Sequence, residues 1–256
     1  FDSNIRLDDK MAGKIIGYGS YLPSKKLSNE DLSHMVETNN EWIVERTGIE
    51  SRNISDPNVE TTSYMASEAA IKAIENAGID AKEIDLIIVA TTTPNYVFPS
   101  MSCIVQRETG AINSACFDLN SACPGFVTAF NTAQAYINAG QYETILVVGS
   151  ECLSNYMDWK DRGTCILFGD GAGAIVLKKN EKVECDFIMR ASGKRGDCLH
   201  CESAMQDVEQ TDAFKESIYM RMKGQEVFKF AVTEVPKVIE HLLAKSGKEA
   251  KEIDLY

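Results

Sequence analysis

Two patterns of apolar residues alternate along the chain. Between Thr62 and Ala77, residues Met65, Ala66, Ala69, Ala70, Ala73 and Ile74 recur at helical spacing and form one apolar face. Thr61 or Thr62 can cap this helix and Gly78 stops it. Residues 84–92 (IDLIIVATT) instead form a continuous apolar run, the signature of a strand covered on both faces. Further strands are predicted over 14–18, Ala115–Leu119, 144–148, 165–168 and 174–178, and Tyr21-Leu22-Pro23 ends the first. A helix is expected over 125–139. A last long one runs over Gly224–Ser246, where Pro236 kinks it or divides it in two. Strands alternating with helices predict an α/β fold with a mostly parallel, covered sheet.

The hexapeptide AKEIDL occurs at 81–86 and again at 250–255, each copy following a helix that ends at glycine, Gly78 and Gly247. The first copy leads into a strand; the second stands at the end of the sequence. This matching context suggests a duplicated half-domain whose second copy is incomplete here. Residues 1–10 carry no periodicity and are expected to be an extension or expression remnant. The division expected is then an N-terminal half over 11–180 and the opening of a C-terminal half over 181–256.

Composition narrows the function. With 26 basic and 38 acidic residues the formal net charge is −12, which argues against nucleic acid and against an anionic membrane as partners. No apolar run reaches membrane-spanning length. Eight cysteines without regular spacing, several of them inside apolar stretches, fit a reducing cytoplasm better than a disulfide framework.

The sharpest chemistry lies at Cys116 to Phe126 (CFDLNSACPGF), where a strand ends near Asn120 and a helix begins just after Cys123. Pro124 suits the first helical turn. A thiol at a helix N-terminus is favoured as thiolate, and a strand-to-helix turn presents it as a nucleophile is presented. Pattern alone leaves a buried structural cysteine open, and Cys116, inside the strand, reads as core.

Residues 118–126 (DLNSACPGF) resemble the active-site segment of the thiolase-like condensing enzymes, most closely the 3-oxoacyl-[acyl-carrier-protein] synthase III family. The likeness runs from Met11 to Tyr256. Residues 41–49 (EWIVERTGI), 161–164 (DRGT), 168–174 (FGDGAGA) and 224–229 (GQEVFK) resemble further segments of that family, in its order. The resemblance implies two duplicated α/β halves in an αβαβα layered arrangement, the C-terminal one incomplete. It implies a cytoplasmic homodimeric acyltransferase that initiates fatty-acid synthesis. A short acyl-CoA, acetyl-CoA first, condenses with malonyl-acyl carrier protein through an acyl-enzyme.

On this likeness Cys123 takes the acyl group, and its backbone N–H helps to stabilise the oxyanion. Trp42 and Arg162 resemble the pair that stacks the adenine of coenzyme A, and Arg46 lies near its phosphates. Met222, Gly224 and Phe228 resemble residues lining the pantetheine tunnel, although Gln225 stands where relatives often carry asparagine. Phe98 resembles the residue that crosses the dimer interface and bounds the acyl pocket. Without the motifs, Trp42 and Phe98 read as core aromatics. Coenzyme A enters as a thioester substrate, and no cofactor is bound permanently. Arg221, Lys223 and Lys229 cluster near the tunnel and could help dock an acidic carrier protein, or form only a solvated face.

The family's catalytic histidine and asparagine match none of His34, His200 and His241. A related condensing enzyme of secondary metabolism, or an acyl-CoA-binding fragment without full catalysis, remain the alternatives. Gly169, Gly171 and Ala174 match the spacing of a dinucleotide fingerprint, but the strand-like residues that follow argue against a nicotinamide site. Cys198-Leu199-His200-Cys201 has no second pair at ligand spacing, so an irregular loop is expected rather than a metal site.

Overall fold

The computed structural model describes residues 12–202 and 218–254; the expected extension over 1–10 lies outside the described residues. In chain order the elements begin with β1 (Ala12–Tyr21), β2 (Lys26–Ser28), α1 (Asn29–Ser33), α2 (Asn40–Thr47), β3 (Ser51–Asn53) and α3 (Thr62–Ala77). They continue with β4 (Leu86–Ala90), α4 (Met101–Thr109), β5 (Ala115–Leu119), α5 (Gly125–Asn138) and β6 (Thr144–Cys152). After these come α6 (Arg162–Cys165), β7 (Asp170–Asn180), β8 (Leu199–His200), β9 (Arg221–Met222) and α7 (Gly224–Ser246). Among the described residues, no helix is long and apolar enough to cross a membrane.

Two compact units interleave along the chain. The first takes residues 12–25, Asn53–Cys152 and Asp170–Cys185, and its centre is a five-stranded sheet in the order β1-β7-β6-β4-β5. The strands β5, β4 and β6 run parallel, whereas β7 is antiparallel to both β6 and β1. Four of the five strands therefore share one direction, and β7 alone is reversed. The chain returns from β6 to β7 without a helix crossing the sheet, so the strand direction reverses.

Alternation along β4 distributes its side chains to two cores. Ile87 and Val89 pack with Met65, Ala69 and Ala73 of α3 and with Met101 and Val105 of α4. Leu86, Ile88 and Ala90 pack with Ala129, Ala133 and Ile137 of α5. The result is a three-layer α/β/α unit. The α3 helix has the predicted bounds: the Thr61 side chain accepts from the Tyr64 N–H, and Gly78 ends it at φ 66°. On β1, Gly17 and Gly19 let α3 approach closely, because a Cβ there would fall on the carbonyl oxygens of Ala73 and Ala69.

The second unit takes Lys26–Arg52, Leu153–Gly169 and the described part of 186–254. Its core joins Leu32, Ile43, Cys165 and Ile166, with Trp42 and Trp159 packed against it. Residues 165–168, expected as a strand, are instead the end of α6 and the turn after it. Their apolar character reflects burial in this small core, which a short run does not distinguish from a strand. The buried Arg52 guanidinium donates to Leu27 O at 3.1 Å, Asn29 Oδ1 at 3.0 Å and Ile166 O at 2.9 Å. The α7 helix runs undivided through Pro236.

The repeated hexapeptide repeats its local structure. Gly78 and Gly247 both stand at φ 66°, and each is followed by a 3₁₀ turn, Ala81–Glu83 and Ala250–Glu252. In the first copy β4 follows.

Candidate active site

Cys123 is exposed on the turn between β5 and α5. Asn120 Oδ1 accepts from the Ala122 N–H at 3.1 Å, which bends the chain as it leaves the strand. Ala122 adopts φ 48°, the one non-glycine residue with positive φ among the described residues. That conformation costs an alanine about 1–2 kcal/mol and must be held by its surroundings. The Gly125 N–H then donates to Ala122 O at 2.8 Å, and Thr128 bonds Pro124 O and Ser121 Oγ. Pro124 occupies the cap position rather than the first helical residue, and no side chain caps α5. The positive end of the helix thus faces the turn that carries the thiol.

Cys116 and Cys152 of this unit are less exposed. Burial pushes the thiols of Cys116 and Cys152 up, the behaviour of structural cysteines. The buried-cysteine reading does not hold for Cys123.

Around the carboxyl ends of the parallel strands, two acids organise the loop from Thr91 to Ser100. Asp118, next to last in β5, accepts from Met101 N at 2.6 Å and Ser102 N at 2.8 Å, capping α4. Glu151, near the end of β6, accepts from Thr92 N at 2.8 Å, Thr92 Oγ1 at 2.9 Å and Thr93 Oγ1 at 2.8 Å. Burial raises the Glu151 carboxyl above its usual range, partly offset by the Thr93 and Thr92 bonds. Between these anchors, Phe98 projects with 84% of its surface exposed, so it is no core phenylalanine. Asp170, in the FGDGAGA segment, accepts from Ser55 N and Ser55 Oγ, each at 2.8 Å. It holds the backbone and the hydroxyl of Ser55.

The second unit carries the other candidates. Trp42 sits on α2, half-buried against the small core, with the Arg46 guanidinium 4.5 Å and the Arg162 guanidinium 4.8 Å from its ring centroid. Residues 42 and 162, distant in sequence, are thus neighbours. Arg162 also donates to Glu37 O at 2.9 Å, and Asp161 caps α6 through Gly163 N at 2.8 Å. On the β8–β9 hairpin Met222 pairs with Leu199, and a Cβ at Gly224 would stand 3.6 Å from Met222 Cε. Phe228 is exposed. Arg221 lies 3.1 Å from Asp158, and Lys223 lies 2.7 Å from Asp197. Two of the three suggested docking cations are thereby already paired with acids. All three histidines belong to this unit, and the unit with Cys123 holds none.

A family model described as 3-oxoacyl-[acyl-carrier-protein (ACP)] synthase III matches residues 117–196, which include Cys123. The beta-ketoacyl-[acyl-carrier-protein] synthase III of Clostridium acetobutylicum is 47% identical over 245 residues, covering 94% of this chain and 74% of that protein. The chain belongs to the 3-oxoacyl-[acyl-carrier-protein] synthase III family. The synthase III of Synechococcus elongatus is 42% identical over 247 residues, covering 94% of this chain and 73% of that protein. The crystal structure of the synthase III of Aquifex aeolicus superposes with a TM-score of 0.86 at 41% identity, covering 95% of this chain and 75% of that one.

Within a synthase III chain the decoys find structural explanations. The glycine-rich spacing at Gly169, Gly171 and Ala174 enters β7 directly, so no helix opens there to receive a pyrophosphate. Cys198 ends a 3₁₀ turn and Cys201 follows β8, in a segment with short regular pieces rather than a wholly irregular loop. Among the described residues no group of three or more His, Cys, Asp or Glu could hold a metal ion. Glu151 escaped notice in the sequence, because an acid after an apolar run reads as a strand reaching solvent.

Proposed function

We propose that this synthase III chain condenses a short acyl-CoA, acetyl-CoA first, with malonyl-acyl carrier protein, using Cys123 as nucleophile. The exposure of Cys123 on its constrained turn at the N-terminus of α5 carries this reading. The thiolate attacks the thioester carbonyl, and the Cys123 N–H supports the oxyanion as it forms. Coenzyme A leaves as a thiol, and the acyl group stays on sulfur. Malonyl-acyl carrier protein then loses carbon dioxide. Its carbanion attacks the acyl-cysteine, releasing 3-oxoacyl-acyl carrier protein and the free thiol.

Trp42, Arg46 and Arg162 are assigned to the nucleotide end of coenzyme A, since an indole flanked by two guanidiniums offers a stacking face and positive charge together. Met222, Gly224 and Phe228 are assigned to its pantetheine arm, and Phe98 to the acyl pocket. The free edge of β5 and the exposed Phe98 support a homodimer. Two halves, 11–180 and 181–256, remain our proposal for the domain history, supported by the repeated hexapeptide and its repeated turn. A secondary-metabolism role draws on 30% identity to the priming beta-ketosynthase of the R1128 polyketide pathway, below the 47% and 42% to the synthases III of Clostridium acetobutylicum and Synechococcus elongatus.

Intact-protein mass spectrometry after incubation with acetyl-CoA tests the assignment. One acetyl adduct is expected on the wild-type chain and none on Cys123→Ala. An adduct that persists in the variant would place the nucleophile elsewhere.

A further inference from the structure

The loop after β4 is held at both ends by acids from the neighbouring strands. At its far end Asp118 of β5 caps α4. At its near end Glu151 of β6 takes three donors from Thr92 and Thr93. The grip is reinforced: Thr93 Oγ1 accepts from Cys152 N at 2.9 Å, and Thr93 O accepts from Thr62 Oγ1 at 2.7 Å. Thr62 O in turn accepts from Ser150 Oγ at 2.8 Å. Between the anchors Tyr96, Val97 and Phe98 are largely exposed. On its other side the loop meets the strand that leads to Cys123, where Thr91 N donates to Leu119 O at 3.2 Å. One loop therefore touches the base of the nucleophile turn and carries the aromatic assigned to the acyl pocket.

We propose that Glu151 is a positioning residue for acyl selection: its grip on Thr92 and Thr93 sets the stance of the loop that presents Phe98, and so determines which acyl chain lengths reach Cys123. This rests on the reading of Cys123 as the acylated residue. Its chemistry suits the task. A carboxylate offers only acceptors, and its neighbours offer one N–H and two hydroxyls. An amide brings an unmatched donor pair to the same place, and an aspartate falls one methylene short. A carboxyl there is not a stabilising choice by default, since burial opposes its charge. The side-chain bonds of Glu151 to Thr92 and Thr93 all go to the loop.

The test compares single-turnover acylation of Cys123 by acetyl-CoA and hexanoyl-CoA, read by intact mass, in wild type, Glu151→Ala, Thr93→Val and Thr93→Ser. The ratio of the two rates is expected to change by about tenfold in Glu151→Ala and in Thr93→Val. Thr93→Ser keeps the hydroxyl and is expected to keep the wild-type ratio. A general loss of structure would slow both acyl donors together, so the ratio separates positioning from mere stability. Should Glu151→Ala not fold, Thr93→Val reports on the same grip. A ratio unchanged in the folded variants, or a ratio altered equally by Thr93→Ser, would overturn the inference alone. A wild-type chain that takes neither acyl group would overturn the reading of Cys123, and this inference with it.

Discussion

At the level of single residues, the indole of Trp42 already carries two cations. Arg46 and Arg162 lie 4.5 and 4.8 Å from its centroid, close enough that no ring fits between Trp42 and Arg162 without parting them. An adenine entering there exchanges one stack for two, while Arg162 gives up its contact with the indole. On the proposed assignment to the nucleotide end of coenzyme A, Arg162 would act on binding that is shared by ground state and transition state. In Arg162→Ala the KM for acetyl-CoA should rise about tenfold, on the order of 1.4 kcal/mol, with kcat within about twofold. Steady-state kinetics of coenzyme A release checks this, and a fall in kcat at unchanged KM would remove Arg162 from the nucleotide end. Sequence pattern alone did not pair Trp42 with Arg162. Only the resemblance of their separate motifs did, because helical and strand periodicities report on local faces and say nothing of contacts across the chain. The placement of Cys123 on a strand-to-helix turn was legible for the opposite reason, since its strand, turn and helix are consecutive. Glu151 was not, since its meaning lies in Thr92 and Thr93 of the loop after β4.

Elements were legible where one face or one run told the whole story. The α3 helix matched its predicted bounds because cap, apolar stripe and terminal glycine agree. The direction of β7 was not legible, because residues 174–178 are equally apolar in either orientation. Nor was the packing of α3 on β1, which depends on Gly17 and Gly19 at a distance from the helix in sequence. A methyl group at Gly19 meets the Ala69 carbonyl and the Ala73 amide nitrogen, both backbone atoms that cannot swing aside. Gly19→Ala should therefore cost about 1–3 kcal/mol by forcing helix and strand apart. Gly173, paired with Ser20 on the adjoining strand, has nothing within 4 Å of its added Cβ, so Gly173→Ala should fall within about 0.5 kcal/mol of wild type. Urea midpoints of the two variants decide the matter. Equal midpoints would show that α3 and β1 yield without cost.

For the whole molecule, charge and long-range contact set the terms. A linear division near residue 180 could be drawn from the sequence, whereas the compact units interleave, because 26–52 and 153–169 leave the sheet unit and return to it. No periodicity announces such excursions. Net charge, by contrast, is legible outright: at a pI near 4.8 the chain passes through neutrality, and self-association there must be kept apart from unfolding. The Tyr21–Glu60 pair provides the separation. The Tyr21 hydroxyl donates to Glu60 Oε1 at 2.9 Å, and Asp56 N donates to Glu60 Oε2 at 2.9 Å. The Asp56 N–H, with help from Tyr21, holds the Glu60 carboxyl below its usual range, and the bond to Glu60 pushes Tyr21 up to about 12. The lowered carboxyl contributes stability that is present above its unfolded value and is lost as pH falls through the folded one. The raised phenol contributes stability that is present below its unfolded value and is lost as pH rises through about 12. The stability gap between wild type and Tyr21→Phe should accordingly be flat between about pH 6 and 9 and narrow on both sides, below about pH 4 and above about pH 11. Urea midpoints at dilute protein, taken across that range, measure the gap directly and are unaffected by association near the pI. A gap that stays constant down to pH 3 would mean that Tyr21 gains nothing from the charge on Glu60, leaving its bond to that carboxyl no stronger than one to a neutral acceptor.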